Sequence, residues 1–99
     1  MVPRADHTFS LEAEGVAERA VDIPGSSKED STPAILYKYH NGKNQRVSIT
    51  MTGAGEMTFQ FVHSGKVLDV TGSSKIAGTA IIQYSPHGGA NQQWIVSAC

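Results

Sequence analysis

The stretch Asp22-Ile-Pro-Gly-Ser-Ser-Lys28 recurs 47 residues later as Asp69-Val-Thr-Gly-Ser-Ser-Lys75. When residues 20–47 and 67–94 are aligned at this offset without a gap, 12 of the 28 positions are identical. An internal period of about 20–50 residues is typical of repeat architectures, in which each unit buries its apolar face against its neighbours. The sequence therefore predicts two copies of one structural unit.

The residues that the two copies share are mostly polar rather than aliphatic. A constraint from packing alone would keep apolar side chains, whereas an acid, an aromatic ring, an imidazole and two amides are groups that bind ligands. The pattern therefore predicts one small site per copy. Its candidate residues are Asp22, Tyr37, His40, Asn44 and Gln45 in the first copy, and Asp69, Tyr84, His87, Asn91 and Gln92 in the second.

Short alternating segments predict an all-β fold. Residues 8–13 and 57–62 alternate apolar and polar side chains, as half-buried strands do. In each copy a second strand, a loop rich in Gly and Ser, and a third strand follow. A fourth strand is expected to begin at the amide pair, over residues 45–51 and 92–98. Four strands per copy give eight in all, at the spacing of an all-β barrel or sandwich.

The whole chain is interpreted as one domain, because 99 residues are too few for two ordinary ones. Repeat one covers about residues 8–51 and repeat two about residues 57–98. The glycine-containing segment 52–56 between them is predicted to be a flexible linker.

Charge and composition argue against several classes of partner. The net charge is −1 and the isoelectric point is near 6.4, whereas a nucleic-acid or anionic-membrane surface would need a basic face. No apolar run approaches the roughly 20 residues of a membrane span. No secretory signal is recognised at the start, and the one cysteine, Cys99, cannot form an intrachain disulfide. We therefore expect a cytoplasmic location or non-classical release.

Repeat two resembles the ricin-B-type β-trefoil lectin family. The resemblance rests on the Leu68-Asp-Val70 strand, the following Gly-Ser loop, the aromatic Tyr84, and the Gln92-Gln-Trp94 segment, which matches the Q-x-W signature. Repeat one is similar, with Val47 where the signature has Trp. In that family each repeat has four strands, and three repeats close a six-stranded barrel capped by three hairpins. The resemblance implies a β-trefoil-type fold and carbohydrate binding, commonly of galactose-type sugars.

Two features depart from the family pattern and bear on assembly. The cysteine pair of many members is absent, which fits a reducing compartment. Two repeats also supply four of the six barrel strands, which leaves two open sheet edges. Because exposed edges recruit partners, we expect an incomplete trefoil that is completed by a homo-oligomer. The alternatives are a trimer that exchanges repeats, a dimer that closes a four-repeat barrel, or a chain that is one piece of a longer protein.

The candidate residues match the chemistry of a sugar. Asp22 and Asp69 are expected to accept hydrogen bonds from hydroxyl groups, and Tyr37 and Tyr84 to lie under the C–H face. Asn44 and Asn91 are expected to donate amide N–H groups, and His40 and His87 to donate to ring or exocyclic oxygens. The resemblance implies that Gln45 and Gln92 brace the aspartates. Each of these residues could also have a purely structural role: the aspartate could stabilise a turn, the tyrosine could pack in the core, and the histidine could be a solvated surface residue.

Three classes of function were weighed. The first is a lectin that binds mono- or oligosaccharides of galactose type, without cofactor or metal. The second is an enzyme, which is not expected, because no nucleophile elbow, phosphate loop or zinc-protease motif is present. The third is a non-catalytic scaffold or protein-interaction module on a trefoil-like fold. The duplicated Asp, Tyr and Asn favour the lectin, since a scaffold has no need of polar residues in register.

Overall fold

The computed structural model describes residues 2–12, 19–53, 55–73 and 79–95. These residues are all-β, as predicted, with five short turns of 3-10 helix and no α-helix among them. None of the described segments is a helix with the length and hydropathy of a membrane span. The strands are β1 (Val2–Pro3), β2 (Phe9–Ser10), β3 (Arg19–Asp22), β4 (Thr32–Pro33), β5 (Ile35–Lys38), β6 (Val47–Gly53), β7 (Glu56–Phe61), β8 (Val67–Val70), β9 (Ile81–Tyr84) and β10 (Trp94–Ile95). The 3-10 turns are Ala5–His7, Pro24–Ser26, Lys43–Gln45, Thr71–Ser73 and Ala90–Gln92.

The strands pair antiparallel throughout. One sheet has the order β1-β2-β6-β7-β8-β9-β4, with β10 also on β7, and β3 pairs with β5 in a second, two-stranded sheet. The pairs β3–β5 and β8–β9 have the same register, with Ala20 opposite Tyr37 and Val67 opposite Tyr84. The 47-residue period of the sequence is therefore a period of the strand pairing as well.

A single apolar core joins the two repeats. Its buried members are Ile23, Val47, Phe59, Phe61 and Leu68. Trp94 packs on this cluster, with its ring 6.5 Å from that of Phe59, and its indole N–H donates to the carbonyl of Leu68 at 3.1 Å. Val47 stands at the position of the signature Trp and is buried in the core, so the core accommodates a β-branched side chain there.

The two repeats are joined through paired strands. Strands β6 and β7 pair directly, and Gly53 lies opposite Glu56. Both strands are rich in β-branched and aromatic residues, which favour strands and pack across them. They form the longest strand pair of the described structure, and the interpretation of 52–56 as a linker stays a prediction.

The predicted start of the fourth strand is wrong in both repeats. Gln45 and Gln92 lie in 3-10 turns, and β6 and β10 begin two residues later. The turns form because the backbone N–H of Gln45 donates to Gly42, and that of Gln92 to Gly89, each at 3.0 Å. Parts of the other predicted elements lie outside the described residues: the end of the first strand at 13, the loop at 74–78 and the last strand at 96–98.

Candidate functional site

Repeat one contains an open pocket of about 350 Å³ at the end of β3. Its volume falls in the range of about 300–1,000 Å³ that is usual for small-molecule sites. The Pro24–Ser26 turn lines part of it, and Gly25 in this turn has a φ of 64° that favours glycine. Four of the five predicted residues of this repeat line the pocket, together with Ile35: they are Asp22, Tyr37, His40 and Asn44. We call this pocket site one.

Repeat two contains an equivalent pocket of about 330 Å³, which we call site two. Thr71 and Gly72 of the turn Thr71–Ser73 line it, and Gly72 has the corresponding φ of 59°. Four of the five predicted residues line it as well: Asp69, Tyr84, His87 and Asn91. The structure thus brings the duplicated polar residues together twice, each time within one repeat.

The aspartate of each site is buried and held by two amides. Asp22 is 3% exposed, and its Oδ1 accepts from Asn44 Nδ2 at 3.2 Å while its Oδ2 accepts from Gln45 Nε2 at 2.8 Å. Asp69 has the same partners in repeat two, Asn91 at 3.1 Å and Gln92 at 2.9 Å. Because a carboxylate has about four lone-pair positions, these bonds leave acceptor capacity for a ligand.

The asparagines do not have the donor role that the sequence suggested. The amide nitrogen of Asn44 donates to Asp22 and to the carbonyl of Ile23, at 3.2 and 2.9 Å. Asn91 likewise donates to Asp69 and to the carbonyl of Val70, both at 3.1 Å. Both N–H groups of each amide are therefore used inside the protein, and what each asparagine offers a ligand is its carbonyl oxygen.

The glutamines lie behind the pockets and make their hydrogen bonds within the protein. Gln45 donates to Asp22 and to the carbonyl of Lys38, each at 2.8 Å, and its Oε1 accepts the backbone N–H of His40 at 2.9 Å. Gln92 makes the corresponding bonds in repeat two. Each glutamine therefore ties the aspartate to the loop that carries the histidine.

Tyrosine and histidine form the rim of each site. Tyr37 is 51% exposed and Tyr84 is 36% exposed, so an aromatic surface in each pocket is open to a ligand. The rings of His40 and Tyr37 pack edge to face with their centroids 6.2 Å apart, and those of His87 and Tyr84 pack in the same way at 6.0 Å. The histidine Nε2 lies 3.8 Å from the aspartate Oδ2 in both sites, too far for a hydrogen bond but close enough for both groups to contact one hydroxyl.

Two glycines that the sequence analysis did not single out leave the space that the site side chains occupy. A Cβ at Gly42 would collide with the His40 ring and with Asn44 Oδ1, and a Cβ at Gly89 would lie 2.6 Å from Asn91 Oδ1. Any residue can adopt their φ values of −71° and −68°, so a larger residue is excluded by lack of space and not by backbone conformation. The signal was present in the sequence, because Gly42 and Gly89 are themselves one of the identical pairs.

The two sites differ in one wall. Ser31, which belongs to repeat one, lines site two, so site two spans both repeats. All the residues that line site one belong to repeat one. Within the described ranges, no group of three or more His, Cys, Asp or Glu side chains is placed to hold a metal ion.

Comparison with known structures supports the trefoil interpretation. A designed three-fold symmetric protein, ThreeFoil, matches with a TM-score of 0.90 and 37% identity over 95% of this chain and 66% of that one. An exo-β-1,3-galactanase from Clostridium thermocellum matches with a TM-score of 0.77 and 32% identity over 89% of this chain and 21% of the enzyme. A Polyporus squamosus lectin matches with a TM-score of 0.81 and 29% identity over 93% of this chain and 33% of the lectin.

These likenesses confirm an incomplete β-trefoil, because the chain spans at most 66% of each of these proteins. A search of curated protein sequences found no match. The family model described as "Ricin-type beta-trefoil lectin domain-like" matches residues 43–98, which is more than half of the chain. The chain therefore belongs to the ricin-type β-trefoil lectin-like family.

Proposed function

We propose that this protein is a lectin module that binds galactose-type sugars through one shallow site in each repeat. The observation that carries the proposal is the duplicated pocket, in which a buried carboxylate with open lone pairs lies beside an exposed tyrosine ring. A sugar presents hydroxyl groups along its edge and C–H groups on its face, so it needs an acceptor and a flat apolar surface together.

The roles follow from which atoms remain free. The carboxylates of Asp22 and Asp69 accept from two neighbouring hydroxyl groups, and such charge-assisted bonds are the stronger kind. The asparagine carbonyl oxygen accepts a further hydroxyl, and the histidine of the rim donates or accepts through its exposed ring nitrogen. The tyrosine ring lies against the C–H face.

Galactose-type sugars fit this arrangement because their axial hydroxyl leaves a patch of C–H groups on the opposite face, where the ring of Tyr37 or Tyr84 can lie. The comparisons agree with this class. The Polyporus squamosus lectin was crystallised with Neu5Acα2-6Galβ1-4GlcNAc, and the Clostridium thermocellum protein is an exo-β-1,3-galactanase.

Binding without catalysis is part of the proposal. Glycoside hydrolysis uses two carboxyl groups about 5–10 Å apart on either side of one bond. Among the described residues, each pocket is lined by one carboxylate, Asp22 in site one and Asp69 in site two. The arrangement therefore suits recognition of a sugar rather than its cleavage.

The test removes the tyrosine rings, because the aspartates are buried and their substitution would also disturb the fold. The double variant Tyr37→Ala with Tyr84→Ala should lose retention on a galactose matrix. Tyr39→Ala is the matched control, since Tyr39 lies outside both pockets and bonds Asn41. A glucose matrix tests the sugar class.

Affinity per site is expected in the ~mM range, about −4 kcal/mol, so retention should be read together with titration of free galactose. The proposal fails if the double variant is retained as well as the unmodified protein. The galactose assignment fails if glucose elutes the protein at the same concentration as galactose does.

A further inference from the structure

A strand of repeat one covers the sheet edge of repeat two. Strand β4 lies along β9, with Thr32 opposite Gln83 and Pro33 opposite Ile82. The loop of residues 27–31, which leads into β4, crosses from repeat one to this edge, and we call it the junction loop. Because Ser31 lines site two together with Ile82, the junction loop forms part of that site.

One residue of repeat two holds the junction loop at three points. The Nε2 of Gln83 donates to the carbonyls of Ser27 and Glu29 at 2.8 and 2.9 Å. Its main-chain carbonyl accepts the backbone N–H of Ser31 at 2.9 Å. Gln83 is itself fully buried, and its Oε1 accepts the hydroxyl of Ser64 at 3.0 Å. The side chain that fixes the loop is therefore fixed as well.

Further polar contacts hold the same loop. The Oδ1 of Asp30 accepts from the backbone N–H and the hydroxyl of Ser85 at 3.0 and 2.9 Å, and lies 3.2 Å from the ammonium of Lys66. A ring nitrogen of His63 lies 2.7 Å from the carbonyl of Ser27. The loop is thus in place without a ligand, and a preformed wall spares a ligand the cost of ordering it.

Gln83 acts from behind the pocket. Side chains alternate along a strand, so Ile82 and Tyr84 face site two, which they line, while Gln83 points to the opposite face. At the 47-residue offset Leu36 stands in the place of Gln83, and it is 47% exposed. Its strand β5 pairs only with β3 within the described structure, and the described lining of site one comes from repeat one alone.

The backbone of Ser31 gives an independent reason to assign its side chain a role. Its φ is 67°, in the left-handed region that glycine adopts readily and other residues rarely do. The residue at the same place in the other copy of the sequence is Gly78. Non-glycine residues in this region persist where their surroundings hold them, and they cluster at ligand sites. The turn alone would favour glycine, so the hydroxyl of Ser31 needs another explanation.

We propose that Gln83 is a positioning residue for site two, which holds the junction loop so that the Ser31 hydroxyl bonds a hydroxyl group of the bound sugar. This inference rests on the proposed function. A serine hydroxyl both donates and accepts, whereas the Asp69 carboxylate and the Asn91 carbonyl only accept. Site two therefore recognises a sugar hydroxyl group that site one does not.

The contact between the repeats and the sugar are then coupled in both directions. If the held loop raises the affinity of site two by some factor, a sugar in site two must favour the held loop by the same factor. A sugar in site one has no such effect, because the junction loop is not part of that site.

The first test measures each site alone by NMR titration with galactose. Tyr37→Ala leaves site two intact, and Tyr84→Ala leaves site one. In the Tyr37→Ala protein, Gln83→Met and Ser31→Gly should each weaken binding about twofold to fivefold, the loss expected for one hydrogen bond. The two changes together should weaken it no further, because both remove the same contact. In the Tyr84→Ala protein neither change should alter the affinity.

Ser31→Gly protects the test against a folding defect, because glycine suits the φ of this position. An unchanged affinity of site two in Ser31→Gly overturns the proposal. So does an additive loss in the double variant, or an equal loss in both sites.

The second test uses no sugar and measures backbone amide exchange. In Gln83→Met the amide of Ser31 should exchange about tenfold faster, because local opening of the loop becomes easier. The control is the amide of Gln45 in site one, which donates to Gly42 at 3.0 Å and should not change. An equal rise at both amides, or none at Ser31, overturns the role of Gln83.

The two tests separate this inference from the proposed function. If neither site binds galactose and only the Ser31 amide exchanges faster in Gln83→Met, the proposed function is contradicted and the hold of Gln83 on the junction loop stands. If both sites bind galactose and the variants leave site two unchanged, the proposed function stands and this inference is overturned.

Discussion

The two repeats have matching candidate sites and different sheet edges. Both sites keep an aspartate, a tyrosine, a histidine and two amides in matching positions. The edges have diverged, so that Gln83 is buried under the other repeat while Leu36 is exposed. The difference shows that the shared polar residues of each site come from one repeat, whereas each edge depends on what lies beside it.

The largest expected effect comes from exchanging the two edge residues. Gln83→Leu leaves the carbonyls of Ser27 and Glu29 without this donor, and should lower the free energy of unfolding by about 2–4 kcal/mol. The mirror change Leu36→Gln, at an exposed position, should alter it by less than about 0.5 kcal/mol. Urea denaturation measures both. Equal changes in the free energy of unfolding for the two variants would contradict the conclusion that one edge is buried and the other exposed.

A smaller effect, on galactose affinity, is expected from adding a methyl group at the glycines that lie against the asparagines. Gly42→Ala and Gly89→Ala should each weaken galactose binding at their own site about tenfold, or about 1.4 kcal/mol, because the asparagine and histidine must move. Gly53→Ala is the control, since its Cβ would lie 3.9 Å from the nearest atom, Glu56 Oε1. Calorimetric titration would refute the idea if all three variants bound alike.

The extra wall of site two should give a modest advantage. Tyr84→Ala leaves site one as the intact site, and Tyr37→Ala leaves site two. The second variant should bind galactose about twofold to fivefold more tightly at high dilution, because Ser31 adds a polar contact of roughly 0.5–1 kcal/mol. Titration of both variants by NMR measures the ratio. A ratio of one would show that Ser31 does not contribute.

The smallest effect is expected from pH. The Ser85 hydroxyl, followed by the ammonium of Lys66, holds the pKa of the Asp30 carboxyl below its ordinary value of about 3.9. A lowered pKa in the folded state stabilises the fold above the unfolded pKa, and this contribution disappears as the pH falls through the folded value. Asp30→Asn should therefore lower Tm slightly at pH 6, and this loss should shrink as the pH falls through the folded-state pKa.

The control for this comparison is Glu29→Gln, which changes the neighbouring acid but not the bond to Ser85. Thermal unfolding of the three proteins across this pH range is the measurement. The interpretation is refuted if Asp30→Asn and Glu29→Gln show the same pH dependence.

The sequence was sufficient for the repeat, the all-β class and the grouping of the site. Identity at a fixed offset reports equivalent positions directly, so residues such as Asp22 and Asn44 could be grouped without knowing the path between them. The strand alternation reports which faces are buried, and the hairpin β6–β7 lies where that pattern is strongest.

Other features depended on hydrogen-bond partners that a sequence does not reveal. The amide of Asn44 could serve a ligand or the protein, and the position of the Ile23 carbonyl decides for the protein. The sequence predicts a strand at Gln45, but its backbone N–H bonds Gly42 in a turn and its side chain bonds Asp22, which the sequence does not reveal. Gln83 has no identical counterpart in repeat one, and its partners come from a loop more than 50 residues away, so the pattern of identities does not mark it.

The short sequence span of each site has an evolutionary consequence. The amides that hold each aspartate come from only 22 and 23 residues downstream, in both repeats. A gene duplication that copies one such segment therefore copies the aspartate together with both of its amide partners, and no later substitution is needed to bring them together. Valency can then evolve by gain or loss of whole segments, while the edges adapt separately to whichever neighbour each segment acquires.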